Sequence, residues 1–123
     1  MEKSHKKLDV WLKSFELTKS IYEVTKKFPS EEKYGLVSQM RRSAVSVPSN
    51  IAEGAGRQTN KDSLQFFIIA RSSLSELDTQ VELSHSLEMI NSADYQLLAK
   101  QINVVDSLLS GFIRYRRARK GPI

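Results

Sequence analysis

Cysteine is absent from this 123-residue sequence, which excludes disulfide bonds, thiolate zinc sites and cysteine nucleophiles. Three prolines and five glycines are too few for a loop-rich β-sandwich, and aromatic residues make up only 8% of the chain. The longest uncharged apolar run, Phe66 to Ala70, is far shorter than the roughly 18–20 residues of a membrane-spanning helix. These absences leave a soluble globular protein.

The length and the N-terminus limit the organisation of the chain. A chain of 123 residues is enough for one domain, and we expect a single domain over residues 1–123. The first seven residues are basic, but no apolar stretch follows them, so they are not expected to form a secretory signal. We therefore expect a cytoplasmic protein.

Positive charge is concentrated at the C-terminus. The chain has 19 Lys and Arg against 14 Asp and Glu, a formal net charge of +5. The last ten residues hold five cations and no acid: Arg114, Arg116, Arg117, Arg119 and Lys120. The remaining 113 residues are therefore neutral overall, and this distribution predicts an anionic partner that is bound locally.

Hydrophobic periodicity predicts four helices with short connections. They span residues 9–27, 31–55, 61–90 and 94–115, between a leader (1–8) and a basic tail (116–123). Asp9, Asn60 and Asp94 are the expected N-caps of the first, third and fourth helices. Long helices with short connections pack antiparallel to their neighbours in sequence. The predicted fold is all-α, an antiparallel up-down four-helix bundle.

Each helix carries an apolar or aromatic face. On the first helix, aromatic and threonine side chains recur every three or four residues: Trp11, Phe15, Thr18, Tyr22 and Thr25. The apolar stripe of the second helix is Val37, Met40, Ala44, Val47, Ile51 and Ala55. That of the third helix is Phe67, Ala70, Leu74, Leu77, Val81 and Ser84. That of the fourth helix is Leu98, Ile102, Val105, Leu109 and Phe112. Pro48 lies inside the second stripe without disturbing its phase, which predicts one helix kinked at Pro48.

The second helix also has a polar face, opposite its apolar stripe. Arg42, Ser46, Ser49 and Glu53 fall within about 60° of one another around the helix axis. One interpretation is a solvated helix face. The other is an interface with a second subunit, in which Arg42 pairs with Glu53 across the contact.

Charge identifies candidate nucleic-acid contacts. Lys and Arg side chains neutralise phosphates and release counterions, which gives salt-dependent, sequence-independent binding. The candidates are Arg41, Arg57, Lys61, Arg114, Arg116, Arg117, Arg119 and Lys120, with Tyr115 available to stack on a base. Alternatively, the tail is a solubilising, frayed terminus.

No pattern of catalytic or cofactor-binding residues emerges. Glu82 and His85 have the spacing of half a di-iron motif, but the other histidine, His5, lies in the leader. A surface Glu–His pair is the simpler interpretation. Phosphate loops and dinucleotide fingerprints are absent, so we expect no enzyme activity, no metal and no cofactor.

Three segments resemble a known bacterial family: residues 8–11, 28–36 and above all 39–57, which reads QMRRSAVSVPSNIAEGAGR. Residues 73–80 resemble its third-helix motif. The family comprises four-helix bundles named after proteins encoded in intervening sequences of 23S ribosomal RNA genes, also called S23 ribosomal protein-like. Arg41, Arg42, Pro48, Asn50, Glu53, Gly54 and Arg57 match the family pattern, whereas Ser43 replaces the more usual Ala.

The resemblance implies an oligomer with a nucleic-acid role. The family is similar to the accessory variability protein of diversity-generating retroelements, a basic homopentamer that works with a reverse transcriptase and nucleic acid. By resemblance we expect a non-enzymatic pentamer that binds RNA or DNA, with a reverse transcriptase as a possible partner. The alternative is an oligomeric scaffold for protein–protein contacts with no nucleic-acid role.

Overall fold

The computed structural model describes residues 5 and 8–119, which form a bundle of four helices. The helices are α1 (Asp9–Thr25), α2 (Leu36–Ala55), α3 (Asn60–Ser86) and α4 (Ser92–Ala118), and a 3₁₀ turn occupies Ser30–Glu32. No β-strand is present in this described part of the chain.

The helices run alternately up and down. Ser63, at the start of α3, donates from Oγ to the backbone oxygen of Gly54 near the end of α2, over 2.8 Å. At the other end of the bundle, Ser84 of α3 lies 3.4 Å from the sulfur of Met40 in α2. Helix α4 packs against both α3 and α1 and closes the bundle. The predicted antiparallel four-helix bundle is confirmed.

The predicted stripes of α2, α3 and α4 form most of the core. Two predicted positions, Ala55 and Phe112, are only half-buried, and Ile113 lies in the core in addition to the predicted set. The largest fully buried side chains come from all four helices: Phe67, Leu17, Ile21, Met40, Ile51, Leu74, Leu77, Leu98, Leu109, Ile113, Val47 and Val81. Burial of this apolar surface is the main favourable contribution to folding.

The aromatic face of α1 exists, but it is not the face that enters the core. The core side of α1 carries Val10, Ser14, Leu17, Ile21 and Val24, and of the predicted face only Thr25 is buried with them. Phe15 is 44% exposed and Tyr22 is 38% exposed. Both patterns have helical spacing, so periodicity alone did not distinguish the core face from its aromatic neighbour.

Pro48 lies within α2, which continues on both sides of it. Proline has no N–H, so the carbonyl of Ala44, four residues earlier, loses its usual helical donor. Thr18 of α1 donates from Oγ1 to this Ala44 oxygen over 3.0 Å. The neighbouring helix therefore satisfies the carbonyl that Pro48 leaves unpaired, while the kink stays a prediction.

The predicted N-caps were wrong by one to three residues: Asp9, Asn60 and Asp94 all lie inside their helices. Thr59 caps α3 by accepting from the Asp62 N–H at 3.2 Å, and Asn91 caps α4 by accepting from the Asp94 N–H at 2.8 Å. Leu8 occupies the N-cap of α1 without a side-chain hydrogen bond. At the starts of α3 and α4 two or more residues of capping type stand close together, so residue type alone does not identify the cap.

Helix ends also differ from the predicted ones. The 3₁₀ turn at Ser30–Glu32 delays the start of α2 to Leu36. Helix α3 stops at Ser86, and Glu88 follows in the left-handed region with φ of 63°, a conformation that commonly ends helices. Helix α4 continues to Ala118, so the first part of the basic tail is helical.

Candidate nucleic-acid interface

Antiparallel packing brings the C-terminal cations next to the start of α3. Arg116 donates from Nη1 to Oδ1 of Asn60 over 3.2 Å, which ties the last turn of α4 to the first residue of α3. Arg57 and Lys61 flank the α2–α3 connection at this end of the bundle. We call the following cations the basic end: Arg57, Lys61, Arg114, Arg116, Arg117 and Arg119. Lys120 lies outside the described residues.

Arg116 differs from the other cations because it covers the end of the core. Its guanidinium carbon lies 4.9 Å from the ring centroid of Phe112 and 5.9 Å from that of Phe67. Burial lowers the pKa of Arg116 from its usual value. Arg116 therefore contributes to packing, and the predicted phosphate contacts rest on its neighbours.

Arg114, Arg117 and Lys61 have exposed side chains and make no ion pair within the described part of the chain. Arg119 lies over the ring of Tyr115, which is 55% exposed, and donates to its hydroxyl. These cations keep their charge available to a ligand.

Arg57 has two partners already. Its Nη2 lies 3.0 Å from the carboxylate of Glu53, one helical turn earlier, and its guanidinium lies 4.4 Å from the ring centroid of Phe66. The Arg57 and Glu53 side chains remain 43% and 59% exposed. An exposed pair of this kind contributes little stability, so Arg57 is able to exchange Glu53 for a phosphate.

Arg41 lies away from the basic end. Fourteen residues of helix separate it from Ala55, where α2 ends just before Arg57, roughly 21 Å along the axis of α2. Its Nε donates to Thr25 Oγ1 over 3.0 Å, and its guanidinium lies 4.5 Å from the ring centroid of Tyr22. Arg41 therefore links α2 to α1, and the structure does not bring it together with the other predicted nucleic-acid contacts.

The four predicted interface residues share the outer face of α2. Arg42, Ser49 and Glu53 are exposed, and Ser46 is half-buried. Ser46 turns toward α3, where its hydroxyl lies 2.8 Å from that of Ser73. Helix α3 thus covers the face beside Ser46, while Arg42, Ser49 and Glu53 stay exposed.

Sequence reasoning missed an aromatic groove between α1 and α2. It has a volume of about 590 Å³, and its walls include Trp11 and Phe15 from α1 and Pro48, Ser49 and Ala52 from α2. The spacing of the α1 aromatics was the available signal, but the same spacing is typical of a core stripe.

Glu82 and His85 lie together on α3, at its contact with α4. Tyr95 of α4 donates its hydroxyl to Glu82 over 2.6 Å and stacks on the His85 ring with centroids 3.9 Å apart. The hydrogen bond to Glu82 raises the pKa of Tyr95. Within the described residues, no group of three or more acidic or histidine side chains is arranged to hold a metal ion.

Three carboxyl groups lie near one another on α3 and α4: Asp78, Glu82 and Asp106. Desolvation, followed by repulsion from Glu82 and Asp106, raises the pKa of Asp78 above its ordinary value. Asp78 lies seventeen residues along α3 from Lys61 of the basic end, roughly 25 Å along the helix axis.

The family model of the 23S rRNA-intervening sequence protein matches residues 6–111. The chain belongs to this family. Its solved relatives include a protein of unknown function from the S23 ribosomal protein family of Bacteroides thetaiotaomicron, whose crystal structure was determined at 1.70 Å. The two structures superpose with a TM-score of 0.79 at 26% sequence identity, over 85% of this chain and 95% of the relative.

These matches confirm the family that the second-helix motif predicted. No curated protein matches the chain. In the part of this family member that the structure describes, no helix combines the length and apolar composition needed to span a bilayer. The similarity to the accessory variability protein stays a prediction.

Proposed function

We propose that this protein is a homo-oligomeric, non-enzymatic accessory protein that binds nucleic acid through the phosphates, at its basic end. The observation that supports this most is the meeting of the last turn of α4 with the α2–α3 connection, through the hydrogen bond from Arg116 to Asn60. This contact brings the end of α4, which carries Arg114 and Arg117, to the connection that carries Arg57 and Lys61. A positive patch of this kind binds polyanions without reading their sequence.

We propose oligomerisation from the family resemblance. An oligomer raises the affinity for a nucleic acid even where the basic end of one copy binds it weakly. Each copy presents its own basic end, and a ligand that reaches two of them binds the second in an intramolecular step. The outer face of α2, with Arg42, Ser49 and Glu53 exposed, is the proposed contact between copies.

Salt-titrated binding of a labelled RNA or DNA duplex tests the proposal. The plot of log affinity against log salt loses about 0.7–0.9 of slope for each phosphate contact removed. The double variant Arg114→Gln/Arg117→Gln is expected to bind more weakly and to have a correspondingly shallower slope. The matched control is Lys26→Gln/Lys100→Gln, which removes the same charge from exposed positions outside the basic end.

Three results count against the proposal. The first is no binding by the wild-type protein at about 50 mM salt, where phosphate contacts are strong. The second is equal loss in the test and control variants, because only net charge then matters. The third is wild-type affinity of the Arg114→Gln/Arg117→Gln variant for nucleic acid. That result would exclude the basic end as the binding surface and favour a protein–protein scaffold.

A further inference from the structure

A second cationic surface lies between α1, the turn before α2 and the first half of α2. It is a hollow of about 560 Å³ whose lining includes Tyr22, Lys33, Tyr34, Arg41 and Arg42, together with small and apolar side chains of α2. We call it the tyrosine hollow. It is separated from the basic end by most of the length of α2.

The charged side chains that line the tyrosine hollow are all positive. Lys33, Arg41 and Arg42 line it, and no carboxylate does. The nearby Glu32 accepts a hydrogen bond from the Leu36 N–H at 3.4 Å and is not part of the lining. Arg42 is assigned to the proposed contact between copies, and neither Lys33 nor Arg41 makes an ion pair within the described residues. The hollow therefore complements an anion.

The same hollow presents an accessible aromatic ring. Tyr34 is 88% exposed, more than any other large hydrophobic side chain in the described residues. The ammonium of Lys33 lies 5.5 Å from the centroid of its ring. Burial favours apolar rings by about 25 cal/mol per Å², so Tyr34 gains considerably from any flat partner.

Cations beside an exposed aromatic ring are the features that bind single-stranded nucleic acid, since the cations hold the backbone and the ring stacks on a base. We propose that the tyrosine hollow binds one unpaired nucleotide of a single strand. The base stacks on Tyr34, and a flanking phosphate contacts Lys33 and the Arg41 Nη1, which has no hydrogen-bond partner among the described residues.

This inference rests on the proposed function and narrows it to a preference for single strands. Bases in a duplex are stacked on each other, so their faces are not available to Tyr34, whereas the phosphates of both forms reach the basic end. The tyrosine hollow thus adds affinity for a single strand only.

Fluorescence anisotropy with three labelled ligands of equal length tests the inference: an unstructured single strand, an abasic single strand and a duplex, each as RNA and as DNA. Tyr34→Ala is expected to weaken binding of the base-bearing single strand about fivefold or more. Binding of the abasic strand and of the duplex stays at the wild-type level. Tyr34→Phe keeps the ring and is expected to retain wild-type affinity for all three.

Leu87→Ala is the matched control, because Leu87 is 53% exposed and lies outside the hollow. Circular dichroism checks that each variant keeps its helices. If Tyr34→Ala binds all three ligands as tightly as the wild-type protein does, the inference is overturned and the proposed function is unaffected. If the wild-type protein binds none of the ligands, both are overturned. A smaller particle mass for Tyr34→Ala in light scattering, with unchanged affinity, identifies the hollow as a contact between copies and also overturns the inference.

Discussion

The hydroxyl of Thr18 donates to the backbone oxygen of Ala44 over 3.0 Å, and so pairs the carbonyl that Pro48 deprives of its helical donor. Thr18→Val removes this donor at nearly constant volume. We expect the free energy of unfolding to fall by about 1–2 kcal/mol, because a partly buried carbonyl loses its partner. Chemical denaturation of the purified variant measures this loss.

A double-mutant cycle isolates the Thr18–Pro48 relationship. In Pro48→Ala, the restored N–H at position 48 pairs with the Ala44 oxygen, so Thr18→Val is expected to cost less there than in the wild-type background. Equal costs in both backgrounds would show that the Thr18 hydroxyl acts through its other acceptor, the Ser14 oxygen at 2.9 Å.

Gly54 provides a second test of how α2 packs on α3. A Cβ at Gly54 would lie 2.6 Å from Cε1 of Phe67 and 3.0 Å from the backbone oxygen of Ser63. Phe67 is fully buried in the core, and a shift of its ring would disturb the packing around it. Gly54→Ala is therefore expected to destabilise by about 1–3 kcal/mol despite the better helix propensity of alanine.

Gly56 is the matched control for that substitution. A Cβ there would meet only backbone oxygens, the nearest at 3.7 Å. The melting temperature of Gly56→Ala is expected to equal or exceed that of the wild-type protein. If Gly54→Ala were as stable as Gly56→Ala, close packing would not be the reason for glycine at position 54.

Arg116 is expected to act through stability more than through binding. Arg116→Ala removes its contacts with Phe67, Phe112 and Asn60, and we expect a loss of about 1–2 kcal/mol in unfolding free energy. Arg114→Ala, at an exposed position, is expected to change stability by less than about 0.5 kcal/mol. The opposite ranking in thermal melts would contradict the role assigned to Arg116.

Charge reversal tests the proposed contact between copies. Arg42 and Glu53 are eleven residues apart on α2, roughly 16 Å along its axis, so they are unable to pair within one chain. Arg42→Glu or Glu53→Lys alone is expected to lower the particle mass in light scattering, and the double reversal is expected to restore it. Glu53 also pairs with Arg57 in its own helix, so Arg57→Gln controls for loss of that pair and keeps the wild-type mass.

Sequence periodicity located the core of three helices well. The stripes containing Met40, Leu74 and Leu98 are buried as predicted, because a helix side that is apolar along its whole length has one stable place in a bundle. Periodicity failed on α1, where two faces carry large side chains and only packing shows that Leu17, and not Phe15, enters the core.

The chain order of helices and the second-helix motif were sufficient to predict the fold and the family. Amphipathic spacing acts within one helix, and short connections leave neighbouring helices little choice of direction. The individual sites depend on contacts between helices. Arg116 meets Asn60, and Tyr22 meets Arg41, only because antiparallel packing places residues far apart in sequence side by side. Tertiary structure therefore decided which cations remain open to a ligand and which, like Arg116, cover the end of the core.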